Sequence, residues 1–251
     1  MRSVKNILTV YKRETFGYLT SPMAYVFIAI FVLLSMAFGF LFSNFLKKGD
    51  ASLVDFFMWH PWFYMLIGPA LGMRLWSEEQ RLGTMELIMT FPINVWEVIV
   101  GKFLAASTIL FLALTMTFSM IITVHMLGEP DNGLILSGYI GSFLVGASSL
   151  AITCAVSAVT RSQVACLIVS FFINLILVLA GFGPIQDFIT KISVFNISFG
   201  ALAEPIARSS YLYHSNLMGQ GLFKLQSLVF FASVIGFSLF LTSVIIRSKR
   251  S

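Results

Sequence analysis

The side chains able to do chemistry are concentrated in one stretch, Arg74-Leu75-Trp76-Ser77-Glu78-Glu79-Gln80-Arg81-Leu82-Gly83-Thr84-Met85-Glu86. It is the densest cluster of charge in a chain of 251 residues that is 58% hydrophobic and 11% charged, where soluble domains carry about 25% charged residues. Charge at this density does not sit in lipid, so the stretch faces water, where it can meet a soluble partner. The rest of the sequence offers little catalytic chemistry. A phosphate-binding loop needs G-x-x-x-x-G-K-[ST]. The one candidate, Gly101-Lys102, is followed by Phe103, and Trp96 stands where the first glycine belongs. The chain is therefore not expected to hydrolyse ATP by that device or to act as an enzyme. His60, His125 and His214 are far apart, no His-Glu-x-x-His is present, and no zinc site is expected.

Membrane-spanning elements must position these charges. The mean hydropathy is +0.91, and a span needs about 20 mostly apolar residues. The apolar runs 23–45, 56–73, 103–126, 135–160, 163–182 and 225–246 predict an all-α integral membrane domain of six helices over residues 1–251. The second run is the weakest, because Pro61, Gly68, Pro69 and Gly72 bend or break helices unless neighbours satisfy the freed backbone groups. The first apolar run begins too deep, and is too long, for a cleavable signal.

The net charge of +5 reads as topology rather than nucleic-acid binding. One side of the predicted bundle carries Arg2, Lys5, Lys12, Arg13, Arg74, Arg81, Lys102, Arg161, Arg247, Lys249 and Arg250; the other carries only Lys47, Lys48, Lys191, Arg208 and Lys224. The basic side is the expected cytoplasmic side, with both termini and the 74–102 loop on it. Within residues 1–22, Val4, Ile7, Leu8, Tyr11, Tyr18 and Leu19 share a helical face, which predicts an interfacial amphipathic helix. In the outer segment 183–224, Ile185, Phe188, Ile189, Ile192, Phe195, Ile197 and Phe199 recur with roughly helical spacing, which predicts a re-entrant or interfacial hydrophobic segment. Cys154 and Cys166 are expected to be buried free thiols.

By this assignment no span contains Asp, Glu, Lys or Arg. Proton- and ion-coupled carriers place such residues at the translocation site, so a self-powered carrier is disfavoured. A path through these spans would be apolar and aromatic. Glu78-Glu79 also resembles the CAAX-processing intramembrane proteases, but their arginine falls four residues after the second glutamate, whereas Arg81 follows Glu79 by two, and the later spans offer only His125.

After Glu86 comes an apolar patch, Leu87-Ile88-Met89, closed by Phe91-Pro92; Asn94 is a predicted N-cap with Glu97 as its capping-box partner on a helix leading into the third span. A merely solvated loop gains nothing from so many apolar residues, so a docking element between spans is expected.

The pattern Glu78-Glu79-x-Arg81-x-Gly83-Thr84-x-Glu86-Leu87-x-x-x-x-Pro92, followed by Gly101-Lys102, resembles the cytoplasmic signature of ABC-2 type transporter permeases. The run from Phe56-Phe57-x-Trp59-His60-Pro61-Trp62 to Met73-Arg74-Leu75-Trp76 is similar to the branch that includes gliding-motility-associated bacterial permeases. The resemblance implies a half-transporter of the bacterial inner membrane. Two permease chains, identical or different, would pair in lipid, and each would dock on a cytoplasmic nucleotide-binding ATPase subunit that binds the ATP. By position, Glu78, Glu79, Arg81, Gly83, Thr84, Glu86 and Pro92 would form or brace the coupling loop, and Arg74 and Lys102 would mark the span boundaries. Gly83 would permit a tight turn. Gln80 and Leu82 depart from the pattern, where relatives often carry polar or charged residues. Export is the direction the resemblance implies; an anchoring or assembly subunit of a secretion or motility apparatus is the alternative.

Overall fold

Each apolar run becomes helix because a helix satisfies its own backbone groups. The computed structural model describes residues 2–41, 52–85, 93–191, 193–194, 197–198 and 200–249. Its helices are α1 (Arg2–Thr20), α2 (Pro22–Leu41), α3 (Val54–Met58), α4 (His60–Gly72), α5 (Arg74–Leu82), α6 (Val95–Thr115), α7 (Phe118–Leu127), α8 (Asn132–Val159), α9 (Gln163–Leu179), α10 (Gly183–Lys191), α11 (Gly200–Arg208), α12 (Tyr211–Gly219) and α13 (Leu225–Ser248). Strands β1 (Ser193–Val194) and β2 (Ile197–Ser198) pair antiparallel between α10 and α11.

Four elements are long and apolar enough to cross a membrane: α2, α6 with α7, α8 and α13; α9 with α10, bent by 72°, makes a fifth if the pair is one span. Among the described residues these are four or five candidates for the six expected spans, and the expected second span, 56–73, is not among them. Residues 56–73 form the end of α3, a break at Trp59 and the 13-residue helix α4. At 1.5 Å per residue α4 reaches about 20 Å, short of the roughly 30 Å hydrocarbon layer. The cause is the Pro61, Gly68, Pro69 and Gly72 set, which shortens the helix and strips it of bulk. The same glycines let α4 press into α8: a side chain at Gly68 would collide with Ser149, and one at Gly72 would stand 2.8 Å from Thr153 Cγ2. The Ser149 hydroxyl donates to Tyr64 O at 2.9 Å across this seam.

α8 is the central helix, buried along most of its length, while α2 and α13 keep long apolar faces exposed. The main core joins Phe31 of α2, Tyr64, Ile67 and Leu71 of α4, Ile109 and Leu110 of α6, Leu150 of α8 and Phe231 of α13. A smaller cluster, Leu53, Phe56, Phe57, Met120, Val124 and Ile135, closes the opposite end.

Two sequence expectations change. Helix α1 does not simply rest on a surface: Val10 is buried against Gly101 of α6, Tyr11 bonds Thr108, and the Tyr18 hydroxyl donates to Leu71 O at 3.0 Å. Its other side leaves Val4, Leu8, Phe16 and Leu19 exposed. In the 183–224 segment the helical recurrence stops at Lys191 and gives way to the β1–β2 pair, with Ile192, Phe195 and Phe199 outside the described residues. The part that enters the core is α12, which buries Tyr211, Leu212, His214 and Met218. Residues Glu86 to Pro92, including the expected docking patch, also lie outside the described residues.

Candidate functional site

The charged stretch is itself a helix. α5 carries Arg74, Glu78 and Arg81 on its more exposed side, opposite buried Leu75, Trp76 and Ser77, with Glu79 on the inner side one turn after Leu75. It ends at Gly83, whose backbone is left-handed (φ 69°) and where a side chain would be strained for lack of conformational room rather than space. The Gly83 and Thr84 amides both donate to Glu79 O, the latter at 3.0 Å, so the turn expected at Gly83 is present and satisfies a carbonyl that the helix end would leave unpaired.

Most of the charge on α5 is used inside the molecule. Lys102, which the sequence places at a span boundary, lies two turns inside α6 and is 2% exposed. Its ammonium donates to Glu79 Oε1 at 2.6 Å and to Leu75 O at 2.8 Å, stands 3.4 Å from Glu14 Oε1 and caps the Trp76 ring at 5.1 Å. Arg13 pairs with Glu14 at 2.6 Å and reaches Glu79 at 4.0 Å. Two cations and two carboxylates thus neutralise one another at the junction of α1, α5 and α6. Burial pushes the Glu79 carboxyl above its ordinary value, against the pull of Lys102. Burial would raise Glu14 as well, but Lys102 and Arg13 outweigh it and hold Glu14 below its ordinary value. The Glu14 hydrogen bond in turn raises Arg13.

Arg74, expected to mark the end of the second span, is the first residue of α5; it pairs with Glu78 at 2.9 Å and donates to Ser21 Oγ at 3.0 Å. A polar cavity of about 200 Å³ beside this pair is lined by Glu14, Gly17, Tyr18, Arg74 and Glu78. Asn94 occupies the N-cap of α6 and its amide donates to Glu97 Oε2 at 3.3 Å, as the capping pattern predicts; Asn6 of α1 adds a second donor to that oxygen at 2.8 Å. Among the described members of the expected coupling loop, Glu78 and Glu79 are bracing groups. Only the turn of Arg81, Leu82 and Gly83 is exposed, with Thr84 half-buried behind it.

Sequence reasoning missed Arg13 and Glu14, which join the charge network around α5, and the pairing of Gln80 on α5 with Lys249. The signal for Glu14 was visible, since it is the lone acid in a helix otherwise basic. Gln80 was set aside as a departure, yet its amide nitrogen donates to Ser157 O at 3.1 Å and Ala158 O at 2.8 Å. The Lys249 ammonium donates to Gln80 Oε1 and to Ala158 O, each at 2.8 Å.

The opposite end is built differently. His60 is fully buried among Phe31, Phe56, Phe57, Phe63 and Tyr64, with Nδ1 2.6 Å from the Ser142 hydroxyl. His214 stacks on Phe230 at 4.2 Å, its Nε2 donates to Arg208 O at 2.8 Å, and its Nδ1 accepts from the Ser227 hydroxyl at 3.0 Å. A cavity of about 480 Å³ opens between α6, α7 and α8, lined by Phe111, Phe118, Ile121, Ile135, Leu136 and Tyr139 among others. It could take an apolar molecule. Cys154 and Cys166 are buried free thiols, and the Trp76 indole donates to Cys154 Sγ at 3.3 Å.

Comparison with protein families matches residues 9–248 to the model described as ABC-2 family transporter protein. Comparison with curated proteins finds no match.

Proposed function

The chain belongs to the ABC-2 transporter family, and from that premise we propose that it is the membrane-spanning permease subunit of an ATP-driven exporter. A separate cytoplasmic ATPase subunit binds and hydrolyses the ATP, and two permease chains pair to complete the path. The observation that carries this reading is the build of α5: an exposed tip at Arg81–Gly83 on a base fixed to α6 by the Lys102–Glu79 pair and, through the same ammonium, to Glu14 of α1. A helix braced in this way moves as a unit with its neighbours, so a push on the tip reaches the bundle rather than bending a loop.

The Lys and Arg distribution supports placing this end, and both termini, in the cytoplasm of a bacterial inner membrane. The 480 Å³ apolar cavity and the lack of acid–base groups around it fit an apolar cargo and an external source of energy. The 56–76 run supports placement in the gliding-motility-associated branch.

Copurification with the ATPase subunit tests the reading. Arg81→Glu combined with Leu82→Asp changes two exposed tip residues that take no part in the ion pairs and hydrogen bonds described above. It should abolish copurification while leaving thermal stability within about 0.5 kcal/mol of the parent, as exposed substitutions do. Retained binding, also after Glu78→Lys with Glu86→Lys, would sink the assignment of this tip as the docking element.

A further inference from the structure

The Gln80–Lys249 contact joins three helices at one point. Gln80 lies on α5, Ser157 and Ala158 form the last turn of α8, and Lys249 follows α13. The Gln80 side chain uses both halves of its amide: the nitrogen donates to the Ser157 and Ala158 carbonyls, and the oxygen accepts from Lys249. The ammonium also donates to Ala158 O at 2.8 Å and Val159 O at 3.4 Å, so it caps the carbonyl end of α8, where a cation meets the negative end of the helix dipole. A carboxylate at position 80 would face two carbonyl oxygens, and an ammonium there would face Lys249. Only a side chain that both donates and accepts satisfies all three neighbours.

We infer that Gln80 and Lys249 are positioning residues through which α5 moves α8 and α13 together, an inference that rests on the coupling role proposed for α5. The buried charge network ties α5 to α1 and α6. The Gln80–Lys249 joint ties it to the central helix and the last spanning helix. A displacement of the tip therefore reaches both sides of the bundle, and the Lys249 ammonium adds a direct polar tie from α5 to the end of α13 beside the apolar packing of α13 on α8.

Amide hydrogen exchange on the full chain in lipid nanodiscs with its ATPase subunit tests this, with and without a non-hydrolysable ATP analogue. In the parent, the analogue should change protection in α5 and in the last turns of α8 and α13. Gln80→Met and Lys249→Met should retain ATPase binding and the response in α5. In each variant the last turn of α13 should exchange about fivefold to tenfold faster at rest, as expected for lost hydrogen bonds, and should no longer respond to nucleotide. Lys249→Arg, which can donate to the same oxygens, should restore the response. An α13 response undiminished in both methionine variants overturns the joint. A parent chain whose α5 does not respond to nucleotide at all overturns the coupling role itself, and the joint with it.

Discussion

The two ends of this molecule hold themselves together by different means. At the charged end, Arg13, Glu14, Glu79 and Lys102 pair within a junction of three helices, and Gln80 and Lys249 pin two more. At the other end, α12 and α3 are held by aromatic and aliphatic packing and by single polar contacts such as Ser137 to Met218 O and His214 to Ser227. Beside that packing lies an apolar cavity of about 480 Å³. Directional, mutually neutralising contacts fix geometry, whereas apolar packing tolerates rearrangement at similar energy. The first end is suited to receive a force and the second to change shape in response.

The contrast is broken most directly at Lys102. Lys102→Met removes the buried cation between Glu79 and Glu14 and leaves them only the largely exposed Arg13. Removing one partner of a buried pair costs about 3–5 kcal/mol, so thermal unfolding in detergent should show a severe loss. A cost below about 1 kcal/mol, the range of exposed ion pairs, would mean that the network is solvated and the charged end no more rigid than the other. A smaller effect is expected at the tip. Gly83→Ala places a side chain on a left-handed residue and should cost about 1 kcal/mol. Because no described atom beyond the chain neighbours lies within 4 Å of the added carbon, the loss should stay local, and exchange should speed up in α5 but not in α4.

The pH response should separate the two ends most finely. Burial lowers the His214 imidazole below its ordinary value of 6.5. The unfolded chain then binds the proton more readily, so stability present above that pH is lost as pH falls through and below it. Glu14 is also lowered, from 4.5, so its contribution is lost only at more acid pH. Hydrogen exchange should therefore accelerate in α12 on acidification from pH 7 to about 5.5, before α1 responds. Simultaneous loosening of both ends would contradict the difference in how they are built.

Part of this was legible without coordinates. The apolar runs located most of the spanning helices, because about 20 consecutive apolar residues have few alternatives to crossing a membrane. Asn94 and Glu97 announced a helix start, and Gly83 a turn, because those signals act within a few residues. The 56–73 run was the least legible, since its Gly68 and Gly72 serve close packing against α8, which a hydropathy pattern does not reveal. In the 183–224 segment, α12 rather than the recurrent Ile and Phe positions enters the core. Neither outcome is local, since both depend on what α8 presents opposite.

The sequence by itself determined that charge gathers in one short stretch of an apolar chain, and that this stretch lies between membrane helices. Tertiary structure alone decided what the charge is for. Glu79 meets Lys102 across 23 positions and Gln80 meets Lys249 across 169. No local pattern encodes such pairings, because they exist only once α1, α6, α8 and α13 have packed around α5 and excluded the water that would otherwise satisfy each group separately.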